Sequence, residues 1–192
     1  MHAGRAVTCF WLGVTSMSNK ITAEYLRRAA LHYLNRYNAS EDSLRRVLKR
    51  KIERRAREAE DDPHQHYELI EPVVCFCRDH KFIDDLRFAQ SKVRTGTSKG
   101  KSRSKLTLEL NSKGVSGEDI QTAFEDEVHD EERAAVLLAK RRRMGPWRTK
   151  PLDLRREKEL ASLVRAGFSF SLARKVVEMS MEEAEELIFA PA

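Results

Sequence analysis

Three times along this chain the same register recurs, two positions one helical turn apart, and the three occurrences are spaced like parts of a repeat. Leu44, Leu48 and Ile52 form the first. Leu106 and Leu110, followed by Gly114-Val115, form the second, and Glu159 and Leu163, followed by Gly167-Phe168, the third. The anchors Leu48, Leu110 and Leu163 stand 62 and 53 residues apart. Residues four apart share a helix face, whereas strand faces repeat every second residue. Internal repetition on this scale means small units that bury their apolar faces against neighbours. The expected fold is therefore all-α, an elongated tandem array of three three-helix bundles. Its units are expected over residues 22–82, 83–127 and 128–192, the last with a short tail helix, after a disordered extension over 1–21.

The middle unit is punctuated most clearly. Asp84 is a helix N-cap with Asp85 in the first turn, where carboxylates complement exposed N–H groups. Leu86, Ala89 and Val93 then share a face, and Gly96 to Gly100 is expected to break that helix. A second helix carries Leu106 and Leu110 and ends at Lys113-Gly114. Ser116 caps a third, with Ile120 and Phe124 one turn apart.

In the first unit, Leu26, Ala30, Tyr33 (or Leu34) and Tyr37 make a stripe, and Ser40 starts a second helix with Leu44, Val47, Leu48 and Ile52 on one face. Eight of the thirteen residues from Arg45 to Arg57 are Lys or Arg and cover its remaining surface. Asp61-Asp62-Pro63 stops it, and a loop with His64 and His66 leads to a third helix near Pro72, carrying Ile70, Val73, Val74 and Cys77. In the third unit, Ala134, Leu137 and Leu138 run into Lys140-Arg141-Arg142-Arg143. A basic loop follows, with Gly145-Pro146-Trp147 and Lys150-Pro151. Leu172, Val176 and Met179 mark a further helix, and Ser180 with Glu183 forms a capping box for the tail.

Composition agrees with helices. Charged residues make up 34% and Gly only 8 of 192, where a sheet protein would need more turn glycines and β-branched runs. Cys9, Cys75 and Cys77 make no disulfide framework, which suits a reducing cytoplasm. No apolar run approaches the ~20 residues of a membrane span. The short apolar piece from Cys9 to Val14 belongs to the extension, in which Met17 is a second candidate start. His64, His66, Cys75, Cys77 and His80 are competent zinc ligands. The spacing of the cysteines argues against a site, since residues two apart on a helix point about 200° apart. There is no phosphate-binding Gly loop, dinucleotide fingerprint or nucleophile motif, so neither an enzyme nor a cofactor is expected.

The run Phe82-Ile83-Asp84-Asp85-x-x-Phe88-Ala89, then Lys105-Leu106-x-x-Glu109-Leu110-x-x-Lys113-Gly114-Val115-Ser116, resembles the RecX family, modulators of the RecA recombinase. Weaker echoes extend over about residues 23 to 180. Lys81 departs from the family's usual Gly, and Lys92 from its frequent Tyr; a left-handed helix end at Lys81 would be strained. The resemblance implies a non-enzymatic regulator, monomeric and cytoplasmic, that lies along RecA filaments on single-strand DNA and lowers their ATPase and strand-exchange activities. The charge pattern supplies candidate contacts. Arg46, Arg50 and Arg54 lie one turn apart opposite Leu44 and Leu48, and Lys101, Arg103 and Lys105 form a second cluster. The alternative is a helical protein that binds DNA directly, through a helix-turn-helix. Trp147 among basic residues could stack on a base, but a single Trp in such a loop more often packs on its own domain.

Overall fold

The structure, a computed structural model, describes residues 20–149 and 151–189. Most of the expected N-terminal extension, including Cys9 to Val14 and Met17, lies outside the described residues, as does Lys150. Among the described residues there are ten α-helices and no strand. They are α1 (Ala23–Leu34), α2 (Glu41–Glu58), α3 (Ile70–Asp79), α4 (Asp85–Ser98), α5 (Arg103–Asn111), α6 (Gly117–Asp126), α7 (Glu131–Arg142), α8 (Leu152–Arg165), α9 (Phe170–Glu178) and α10 (Met181–Phe189). The fold is an all-helical array of small bundles.

Caps set the helix starts. Thr22, Ser40, Asp84, Ser102, Ser116, Asp130 and Ser169 each accept a backbone N–H three residues on. Ser180 and Glu183 bond each other's backbone N–H at 2.8 and 3.2 Å, the expected capping box. Lys81 does adopt a left-handed φ of 59°, ending α3 without a glycine.

The buried apolar side chains form three clusters. One holds Leu26, Leu44, Leu48, Ile52 and Val73, the next Phe88, Val93, Leu106, Leu110 and Ile120, the last Val136, Leu138, Leu163, Val176 and Val177. Each anchor of the repeat, Leu48, Leu110 and Leu163, is buried in its own cluster. Burying a Leu stabilises by about 1.5–3 kcal/mol, so each bundle rests on a handful of such side chains.

Several local expectations are corrected. Gly96 does not break α4; the helix runs through it to Ser98, and its missing side chain lets Leu106 of α5 press against the backbone. Tyr37 lies beyond the end of α1 and is exposed. The loop with His64 and His66 is a 3-10 helix (Pro63–Leu69) started by the Asp62 cap, and Gly145–Trp147 is a short 3-10 turn. Leu137, on α7 as expected, is half-buried beside the buried Ala134 and Leu138. Ile21, just before the Thr22 cap, is buried in the first cluster.

Glu159 occupies the turn before Leu163 that Leu106 occupies before Leu110, yet it too is buried. Its carboxylate accepts from the Gly145 backbone N–H at 2.9 Å and from Arg148 at 3.1 Å. A buried charge survives only when paired and hydrogen-bonded. Here the pair ties the Gly145–Trp147 turn to α8.

Candidate functional site

The longest basic surface is α2. Its start is fixed by the Ser40 cap with Glu41 and Asp42 in the first turn, and its core stripe by Leu44, Leu48, Ile52 and Ala56. That stripe turns Arg46, Arg50 and Arg54 outward, and all three are exposed. Arg46 meets Asp42 at 2.6 Å and Arg54 approaches Glu58 at 3.9 Å. Arg50 has no charged partner among the described residues. Exposed pairs of this kind hold a side chain by about 0–1 kcal/mol, so they yield readily to a stronger anion.

Other basic residues of α2 are committed internally. Arg45 forks onto Glu71 at 2.7 and 3.1 Å and reaches Glu41 at 3.0 Å. The Glu71 hydrogen bond foremost pushes the guanidinium above its ordinary value and holds Glu71 below the usual carboxylate range. Lys49 and Arg55 lie over the rings of Tyr67 and Tyr25.

A groove of about 510 Å³ runs along this face, lined by Tyr33, Arg46, Val47, Lys49, Arg50 and Lys113, with Ser43 and Glu53 completing it. Lys113 lies in the turn after α5, so the groove crosses from the first bundle to the second. The joint beneath it is specific. Ser40, fully buried, donates its hydroxyl to the Lys113 carbonyl at 2.6 Å, and Asp85 accepts the Glu41 backbone N–H at 2.8 Å. Burial, first of all, pushes the Asp85 carboxyl up.

The same joint recurs one unit on. Ser102, also buried, donates to the Ala166 carbonyl at 2.7 Å, and Glu131 accepts the Arg103 backbone N–H at 2.9 Å. Ser102 follows Ser40 by 62 residues and Ala166 follows Lys113 by 53, the offsets of the leucine repeat. The glycine after each carbonyl has positive φ, 74° at Gly114 and 94° at Gly167. A Cβ there would collide with Asp42 or with the Ser102 hydroxyl. Each middle helix thus presents its N-terminus to the C-terminal end of the next, positive partial charge to negative.

The second candidate cluster is less uniform. Lys101 is half-buried and paired with Glu109 at 2.5 Å, and Arg103 lies over the Phe124 ring at 4.4 Å. Lys105 is exposed, without a charged partner among the described residues. The basic residues from the end of α7 onward are engaged within the protein, though Arg141 and Arg142 stay exposed. Arg141 donates to the Lys99 carbonyl, Arg142 to Ser162, and Arg148 to Glu159 and the Val177 carbonyl. Trp147 packs, partly buried, against the third cluster. Cys77 is fully buried, His66 bonds Asp61 and His80 bonds the Phe76 carbonyl. Among the described residues no group of three metal-capable side chains converges, and no helix is long and apolar enough to cross a membrane.

Sequence reasoning found the outward arginines but missed Lys113, Tyr33 and both serine joints. The 62-residue spacing of Ser40 and Ser102 follows the repeat, but the exposed caps Ser116 and Ser169 repeat as well, so spacing alone does not mark the joints.

Stacked helical bundles with a basic groove over their first joint define a helical repeat protein. Comparison with known proteins gives that class a family. A family model described as RecX, second three-helix domain, matches residues 84–123. The regulatory protein RecX of Myxococcus xanthus is 35% identical over 163 residues, covering 83% of this chain and 87% of the relative. That of Agrobacterium fabrum is 36% identical over 167 residues, covering 85% and 88%. The chain belongs to the RecX family. Its fold is also that of a crystal structure of regulatory protein RecX (TM-score 0.59, 24% identity, 82% of this chain and 72% of that one). A RecX from Lactobacillus salivarius is similar too (TM-score 0.58, 20% identity, 85% and 96%).

Proposed function

We propose that this chain is a non-enzymatic regulator that binds RecA filaments on single-strand DNA and lowers their ATP hydrolysis and strand exchange. In this way it regulates recombination and DNA repair, including the SOS response. It works as a cytoplasmic monomer without a cofactor, and its bundles, over 22–82, 83–127 and 128–192, act as three linked units. The observation that carries the reading is the exposed row Arg46, Arg50 and Arg54 on a chain of the RecX family. A filament of polyanionic DNA clothed in protein is a partner such a row fits, with Lys101, Arg103 and Lys105 as a further contact. The test is a titration of this protein into its cognate recombinase on single-strand DNA, following ATP hydrolysis. The rate should fall with added protein, and less so as salt rises. An unchanged rate, with tight binding to bare duplex DNA, would replace this reading with direct DNA binding.

A further inference from the structure

The groove over α2 has an aromatic edge as well as a basic floor. Arg46, Lys49, Arg50 and Lys113 line it against a single carboxylate, Glu53, which already accepts from the Tyr67 hydroxyl at 3.1 Å. Asp42, beside it, takes only Arg46 of these four cations. The lining therefore stays positive. Tyr33 forms one wall, and the ring of Tyr37 lies 5.1 Å from it, centroid to centroid, and is 56% exposed. An exposed aromatic face beside a row of cations suits an unpaired base, because bases within a duplex already stack on one another. The cations suit the phosphates that join such bases.

We propose that this groove binds single-stranded nucleic acid directly, with backbone phosphates on Arg46, Arg50 and Lys113 and a base on Tyr37. The inference rests on the reading of α2 as a polyanion-facing surface, but it requires no recombinase. It also gives the joint a role. Lys113 holds the strand from the second bundle, and its carbonyl holds Ser40 of the first. A strand lying across both therefore binds only the docked arrangement and stabilises it.

The experiment is fluorescence anisotropy of a labelled oligothymidine of about 12 nucleotides with the full chain alone, beside inorganic polyphosphate as a base-free probe. Tyr37→Leu should weaken oligothymidine binding about 10-fold and leave polyphosphate binding unchanged, while Tyr37→Phe binds both as the wild type does. Lys113→Gln keeps the carbonyl that receives Ser40, and should weaken both probes and lower the salt slope by about 0.7. Melting curves establish that each variant is folded. Oligothymidine binding untouched by Tyr37→Leu, equal loss of both probes in that variant, or a preference for duplex would overturn the proposal. So would equally tight binding of polyglutamate, which would point to an acidic protein partner. A folded wild type that slows the filament yet fails to bind oligothymidine defeats this inference alone; one that binds oligothymidine and leaves the filament's ATPase untouched defeats the filament reading alone.

Discussion

The Ser40 hydroxyl caps α2 by accepting the Ser43 N–H at 3.2 Å and, with its proton, reaches the Lys113 carbonyl 73 residues away at 2.6 Å. One side chain thus starts a helix and fastens two bundles. Ser116 offers a comparison, since it caps α6 from an exposed position and its hydroxyl proton goes only to Asp119.

Ser116→Ala should therefore cost about 1 kcal/mol, the usual loss for a cap. Ser40→Ala should cost that and about 1–3 kcal/mol more, because it also strips the Lys113 carbonyl of its donor. Chemical denaturation of the two variants checks this. Equal losses would mean that the joint hydrogen bond contributes nothing.

Leu110 is buried and Leu108, two residues before it, is 63% exposed. Leu110→Ala should lose about 2–5 kcal/mol and Leu108→Ala no more than ~0.5 kcal/mol. Comparable losses in the melting curves would put the wrong face of α5 in the core.

Most of the fold was legible because its information is local. Four-residue apolar steps, serine and aspartate caps and the glycine after α5 each declare themselves within a few residues. The joints were not legible in the same way. A cap serine looks alike whether its proton goes to water or to a carbonyl in the next bundle, and the 62-residue offset of Ser40 and Ser102 is matched by a 53-residue offset between the exposed caps Ser116 and Ser169. Glu159 reads as surface until Arg148 and the Gly145 N–H are seen to close on it. At the candidate site the outward set of α2 followed from its inward set. The groove did not, since Tyr33 comes from α1 and Lys113 from the turn after α5.

Burial raises the Asp85 carboxyl in the folded protein, with Glu41 and Asp119 adding repulsion against the pull of Arg45. A carboxyl raised on folding favours the fold while protonated, and that contribution is lost as pH climbs from the ordinary carboxylate range through the raised value. The dipoles of α2 and α4 offset part of the cost. Asp85→Asn keeps an acceptor for the Glu41 N–H, so it should melt no lower than the wild type at neutral pH and show a flatter pH dependence above the ordinary carboxylate range. Asp85→Ala, which orphans that N–H, should lose about 1–3 kcal/mol at neutral pH. A clear loss of stability in Asp85→Asn at neutral pH would contradict the account of this carboxyl.

The most direct measurement is the ATPase of the cognate recombinase filament, at low and moderate salt, with the wild type and with a triple variant carrying Arg46→Glu, Arg50→Glu and Arg54→Glu. All three positions are exposed and off the core stripe, so the variant should melt close to the wild type. The wild type should slow hydrolysis, more strongly at low salt, and the variant should lose most of that effect. A well-folded variant that slows the filament as the wild type does would contradict the assignment of this face to the partner.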